Sequence, residues 1–134
     1  KGFLGRYGLK KGAVATSVGH DSHNLMIAGT NDADIACAAN RVIANEGGLA
    51  IALDGQIVAD LPLQIGGLMS TLPLEEVDAR LEAMKQILAD WGISGEIDPF
   101  MTLSFVSLPV IPALRLNTYG VIDVNAQKVV KASF

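Results

Sequence analysis

The sequence predicts an α+β domain in which two helices pack on a largely antiparallel sheet, a single layer domain. Three observations carry this. Short apolar runs of strand length recur at residues 13–18, 24–30, 48–53 and 56–61. Two longer stretches, after Thr30 and after Leu72, repeat apolar residues every three or four positions, the spacing of one helix face. Asp54-Gly55 stands between two strand-like runs, a two-residue hairpin signal that makes this pair antiparallel. A mixed sheet is the alternative, because the first helix joins strands that could pair in parallel.

Taken in order, residues 1–12 hold four glycines and the basic residues Lys1, Arg6, Lys10 and Lys11. They read as a lead-in segment, most simply a solvated basic arm. Residues 13–18 form a short buried strand, a polar knot follows, and residues 24–30 resume as a strand. Thr30 or Asn31 can cap the first helix, with Asp32 and Asp34 in the first turn where the helix dipole favours acids. Ile35, Ala38, Ala39, Val42 and Ile43 form its apolar face, Cys37 is a small core hydrophobe, and Gly47-Gly48 ends it.

After the hairpin, Leu61-Pro62-Leu63 breaks the strand, and Ile65-Gly66-Gly67-Leu68-Met69 reads as a tight turn. Pro73 opens the second helix; Leu74, Val77, Leu81, Met84, Leu88 and Trp91 are its stripe, Gly92 its end, and both helices are expected on one sheet face. Past Asp98-Pro99, residues 100–108 alternate apolar side chains with Thr102 and Ser104, the pattern of a strand with a hydroxyl face, stopped by Pro109 and Pro112. Residues 117–120 are a turn, and 121–124 and 128–130 are closing strands.

The chain of 134 residues is the size of one domain. Half of it is hydrophobic and only 18% charged, with mean hydropathy +0.38, so part of its apolar surface is expected to be covered by another domain or by a second copy, a homo-oligomer. The net charge of −4, the pI near 5.0 and the absence of a basic stripe argue against nucleic acid. No run reaches the ~18 apolar residues of a membrane span. The single Cys37 cannot form an internal disulfide, which fits a reducing, cytoplasmic location. The opening Lys1-Gly2-Phe3 reads as the middle of a longer protein.

The chemistry-bearing stretch is Ser17-Val18-Gly19-His20-Asp21-Ser22-His23-Asn24, which gathers both histidines beside an acid, a hydroxyl and an amide. One reading is a polar turn that bonds its own backbone. The other is a site, with an imidazole as proton shuttle or metal ligand, Asp21 as its orienter, and Ser22 or Asn24 as a ligand donor. Two histidines at i,i+3 with no third ligand are an incomplete zinc site, so no metal ligand is assigned. Thr102 and Ser104 are the second candidate surface.

Several blocks in order resemble the C-terminal domain of adenine deaminases, in the amidohydrolase superfamily. They are Gly8-Leu9-Lys10-Lys11-Gly12-Ala13, the knot itself, Gly29-Thr30-Asn31-Asp32, Glu46-Gly47-Gly48-Leu49 and Asp54-Gly55. The run from Leu61 to Ser70, the run Asp98-Pro99-Phe100-Met101-Thr102-Leu103-Ser104-Phe105, and Leu108-Pro109-Val110-Ile111-Pro112 complete them. The resemblance implies an intact enzyme that hydrolyses adenine to hypoxanthine and ammonia at a binuclear manganese or iron centre in an N-terminal catalytic barrel. Such a barrel needs roughly 250 residues, and its His-x-His motif is absent here. The expectation is therefore a lead-in from that barrel at residues 1–12 and an adenine deaminase C-terminal-like domain at 13–134. This chain is expected to bind no cofactor and to be inactive alone. His20, Asp21, Ser22, His23 and Asn24 are expected at the barrel mouth, closing the adenine pocket or bonding only the barrel. A free-standing, non-catalytic α+β domain that binds a ligand or partner is the alternative function.

Overall fold

The computed structural model describes residues 2–131; Lys1 of the lead-in and residues 132–134 at the end of the expected domain lie outside the described residues. The elements are β1 (Ala13–Thr16), β2 (Met26–Gly29), α1 (Asp32–Ala44), β3 (Gly48–Leu53), β4 (Gln56–Pro62), α2 (Leu74–Asp90), α3 (Pro99–Ser104), β5 (Leu114–Asn117), β6 (Gly120–Asp123) and β7 (Lys128–Val130). The first four strands form a sheet in the order β2-β1-β3-β4, and the last three form a small sheet in the order β5-β6-β7. Every pairing is antiparallel. β2 and β3 do point the same way, but β1 lies between them, so the crossover through α1 creates no parallel ladder and the mixed alternative is not realised. The hairpin turns on Asp54 and Gly55 with φ of 53° and 74°, both left-handed, as its two-residue loop requires.

The helices lie on opposite faces of the larger sheet, not on one. Ala13, Ala15, Ala50 and Ala52 point to α1 and pack with Ala38 and Val42. The alternate residues Val14, Leu49 and Ile51, with Leu61, point the other way and pack with Met84, Leu88, Trp91 and Leu103. The cause is visible in the strands themselves. β1 is buried at all four positions, and β3 at five of six, so these central strands need cover on both sides. Small residues on the α1 side let that helix approach closely: a Cβ on Gly29 would sit 2.5 Å from Ile35 Cγ1.

Two further expectations are corrected. Residues 100–108 are not a strand. Asp98 caps α3, its Oδ1 accepting the Phe100 and Met101 N–H groups at 3.0 and 2.9 Å, and Pro99 takes the first helical position. These start signals outweigh the alternation, and the period changes so that Phe100, Leu103 and Ser104 share the buried face. The lead-in is not merely a solvated arm either. Tyr7 is buried and its hydroxyl donates to Pro99 O at 3.0 Å, while Lys10 N–H donates to Trp91 O at 2.9 Å. Burial, with Asp98 nearby, pushes the Tyr7 phenol well above its ordinary value, so it stays a neutral donor. In the second helix the stripe starts one turn late, since Leu74 is 77% exposed.

Asp98 couples α3 to α2 through Lys85 Nζ at 3.0 Å. Burial pushes its carboxyl up, but the Met101 and Phe100 N–H groups and the Lys85 ammonium together outweigh that and hold it below the ordinary 3.8. A depressed folded pKa adds stability that is present above the unfolded value and is lost as pH falls through the folded one. Asp98→Ala should cost about 1 kcal/mol at neutral pH, as a lost N-cap does. Urea midpoints measured from pH 6 downward should fall less steeply below about pH 4 in Asp98→Ala than in the parent chain. Parallel pH profiles would show that the carboxylate does not act this way.

Candidate functional site

The loop between β1 and β2, residues 17–25, lies at one end of the sheet, and three hydrogen bonds tie its start to the neighbouring segments. Ser17 N–H donates to Gly48 O at 3.0 Å, Ser17 Oγ accepts Gly48 N–H at 2.7 Å, and the same hydroxyl donates to Gly67 O at 2.6 Å. Only glycines permit this. A Cβ on Gly47 would lie 2.4 Å from Gly67 Cα. The Ile65–Met69 turn is thereby fixed beside the knot, closed on itself by reciprocal N–H···O bonds between Ile65 and Met69.

His20 is half-buried and is seated on the far end of α3. Its backbone N–H donates to Ser104 O at 3.0 Å, its Nδ1 lies 3.3 Å from Ser104 Oγ, and its ring packs on Phe105 with centroids 4.3 Å apart. The structure thus brings His20 and Ser104, 84 positions apart, into contact. Ser104, not Asp21, is the group bonded to the imidazole. Asp21, Ser22 and His23 are exposed; Asn24 is half-buried and its Nδ2 donates to Ser22 Oγ at 3.1 Å. His23 adopts a left-handed φ of 37°, and its N–H closes the turn on Gly19 O at 3.2 Å.

Thr102 goes elsewhere. It lines a cleft of about 1090 Å³ between the lead-in, the outer edge of β2, α3 and the small sheet, whose wall includes Phe3, Tyr7, Phe105, Leu116 and Arg115. The two hydroxyls that strand alternation would put on a single face therefore serve different places, because α3 turns them roughly 200° apart at about 100° per residue. Sequence reasoning missed Phe105 as a partner of His20 and Ser17 as the pin of the loop. The Asp98-Pro99 helix start was the signal that would have placed Ser104 and Phe105 at the C-terminal end of a helix.

Around His20 this end of the molecule is mixed in character. Leu68 and Met69, next to the Gly67 that bonds Ser17, are 38 and 59% exposed, Met101, whose carbonyl accepts the Ser104 hydroxyl, is 47% exposed, and Asp21, Ser22 and His23 are exposed in the loop itself. Exposed apolar side chains together with exposed polar ones make a surface suited to cover by another folded body. No group of three or more His, Cys, Asp or Glu among the described residues could hold a metal ion, so these residues do not fit a binuclear centre. Among the described residues no helix is long and apolar enough to cross a membrane.

Residues 1–128 match the family model described as the adenine deaminase C-terminal domain. The chain is similar to the adenine deaminase of Kosmotoga olearia, 56% identical over 92% of this chain and 21% of that protein. It is likewise similar to adenine deaminase 2 of Carboxydothermus hydrogenoformans, 48% identical over 98% of this chain and 23% of that protein. The adenine deaminase of Dehalococcoides mccartyi is 49% identical over 97% of this chain and 23% of its own length. The chain thus spans between a fifth and a quarter of the length of the curated relatives it matches.

Proposed function

The chain belongs to the adenine deaminase C-terminal domain family, and on that premise we propose that it serves a cytoplasmic, metal-dependent adenine deaminase of purine salvage. That enzyme converts adenine and water to hypoxanthine and ammonia. Its binuclear manganese or iron centre belongs to an N-terminal catalytic barrel, on which this domain packs to help close the active site. The observation that supports the packing role is a half-buried imidazole held by Ser104 and Phe105, with Leu68, Met69 and Met101 exposed on the segments that bond Ser17 and Ser104. The names of the relatives support adenine as substrate.

The test is adenine binding by calorimetry and hypoxanthine formation, on this chain and on the whole protein side by side, each supplied with manganese or iron. The chain alone should form no hypoxanthine, and the whole protein should turn over. Turnover by the metal-loaded chain alone would overturn the division of labour; a whole protein that neither binds nor converts adenine would overturn the substrate.

A further inference from the structure

We propose that Ser104 fixes the tautomer of His20: Nδ1 carries the hydrogen and donates to Ser104 Oγ, and Nε2 is the acceptor that the ring presents. The argument is an inventory of hydrogens. A serine hydroxyl carries one O–H and two lone pairs. Ser104 Oγ lies 2.7 Å from Met101 O, an oxygen that can only accept, so the single proton must sit between those two oxygens. Without it their lone pairs would face each other at close range. Toward His20 Nδ1, at 3.3 Å, Ser104 then has only a lone pair to offer, so Nδ1 must carry the hydrogen.

The other ring nitrogen has no such tie. No described residue bonds Nε2, and it is not among the buried polar atoms that lack a partner. Phe105 packs on the ring and limits its rotation. Neutral His20 therefore presents a bare acceptor at Nε2 from a fixed ring. It would take an N–H or O–H donor, such as the amine or amidine edge of a neutral heterocycle, and refuse a carbonyl or carboxylate oxygen. This ligand class rests on the active-site reading above; the tautomer does not.

The test is long-range ¹H–¹⁵N correlation NMR of the chain labelled in its two histidines, at a pH about two units above the ordinary imidazole pKa of roughly 6.5. His23, exposed and with no ring hydrogen bond among the described residues, is the internal reference. His20 should show a protonated Nδ1 and a bare Nε2, whereas His23 should show the Nε2–H form that free imidazoles favour. In Ser104→Ala the His20 pattern should move to that of His23, and Ser104→Thr, which keeps the hydroxyl, should restore it. An Nε2–H His20 in the parent chain overturns the proposal, as does a tautomer unchanged in a folded Ser104→Ala. If Ser104→Ala fails to fold, the parent spectrum decides alone. A confirmed tautomer together with undiminished adenine turnover in His20→Asn would remove the active-site reading and leave the tautomer standing.

Discussion

His20→Asn in the whole protein is expected to lower kcat/KM for adenine about 10- to 100-fold with little change in melting temperature. The choice of asparagine is deliberate. Its side-chain NH2 can occupy the position of Nδ1 and donate to Ser104 Oγ, so the bond at 3.3 Å survives while Nε2 and the ring contact with Phe105 are removed. Removing Nε2 leaves the ligand's buried N–H donor without a partner, which costs about 1–3 kcal/mol. At about 1.4 kcal/mol per tenfold this brackets the stated range. The effect falls short of the 10²–10⁴ of a general base lost from the reacting atoms because His20 is proposed to line the pocket and not to touch those atoms. The interface reading predicts the opposite split, with normal turnover and a lower melting temperature, because a domain contact is lost and no substrate contact is. His23→Asn, at an exposed position in the same loop, should have the smaller effect on turnover, and a larger one would move the assignment from His20 to His23.

Much of the fold was legible because its signals are local. Asp54-Gly55 announced the hairpin, Asn31 with Asp34 announced the start of α1, and the Met84, Leu88 and Trp91 spacing announced α2. Asn31 does cap α1, its Oδ1 accepting Asp34 N–H at 2.8 Å. The errors came where two local signals conflicted or where the answer was long-range. At 100–108, alternation competed with Asp98-Pro99, and the cap prevailed because it satisfies two otherwise orphaned N–H groups. The side of the sheet taken by each helix is a tertiary matter, although the unbroken apolar runs of β1 and β3 already carried it. The knot was legible as a polar stretch, and its partner was not: nothing near His20 in sequence points to Ser104, and the contact exists only once α3 is a helix. Burial of Tyr7 was hidden for a similar reason, since its partners Pro99 and the Trp91 region lie more than 80 positions away.

Gly48→Ala is expected to destabilise the chain by about 4 kcal/mol, while Gly55→Ala, the same chemical change one strand away, should cost about 1. Both glycines have a positive φ, 139° and 74°, so both pay for forcing alanine into a conformation that L side chains avoid. They differ in space. A Cβ on Gly48 would stand 2.3 Å from Leu61 O and 3.1 Å from Pro62 Cα, backbone atoms of the paired strand that cannot swing aside. A Cβ on Gly55 meets nothing within 4 Å. Strain of about 2 kcal/mol and overpacking of about 2 kcal/mol add at Gly48, and only part of the first applies at Gly55. Against a domain stability of about 5–15 kcal/mol, the larger loss should lower the urea midpoint severely, and the melting temperature by about 10–15 °C. Equal losses at the two glycines would show that conformation alone is at issue and that the β3–β4 corner yields. The distinction reaches the site, because Gly48 N–H and O both bond Ser17, the residue that pins the His20 loop. If β4 is pushed away by an added methyl, Ser17 loses its bonds, and the amide of His20 should exchange with solvent faster at a temperature where the variant is still folded. Hydrogen exchange at His20 in Gly48→Ala and Gly55→Ala therefore measures whether the glycine corner holds the loop or only the sheet.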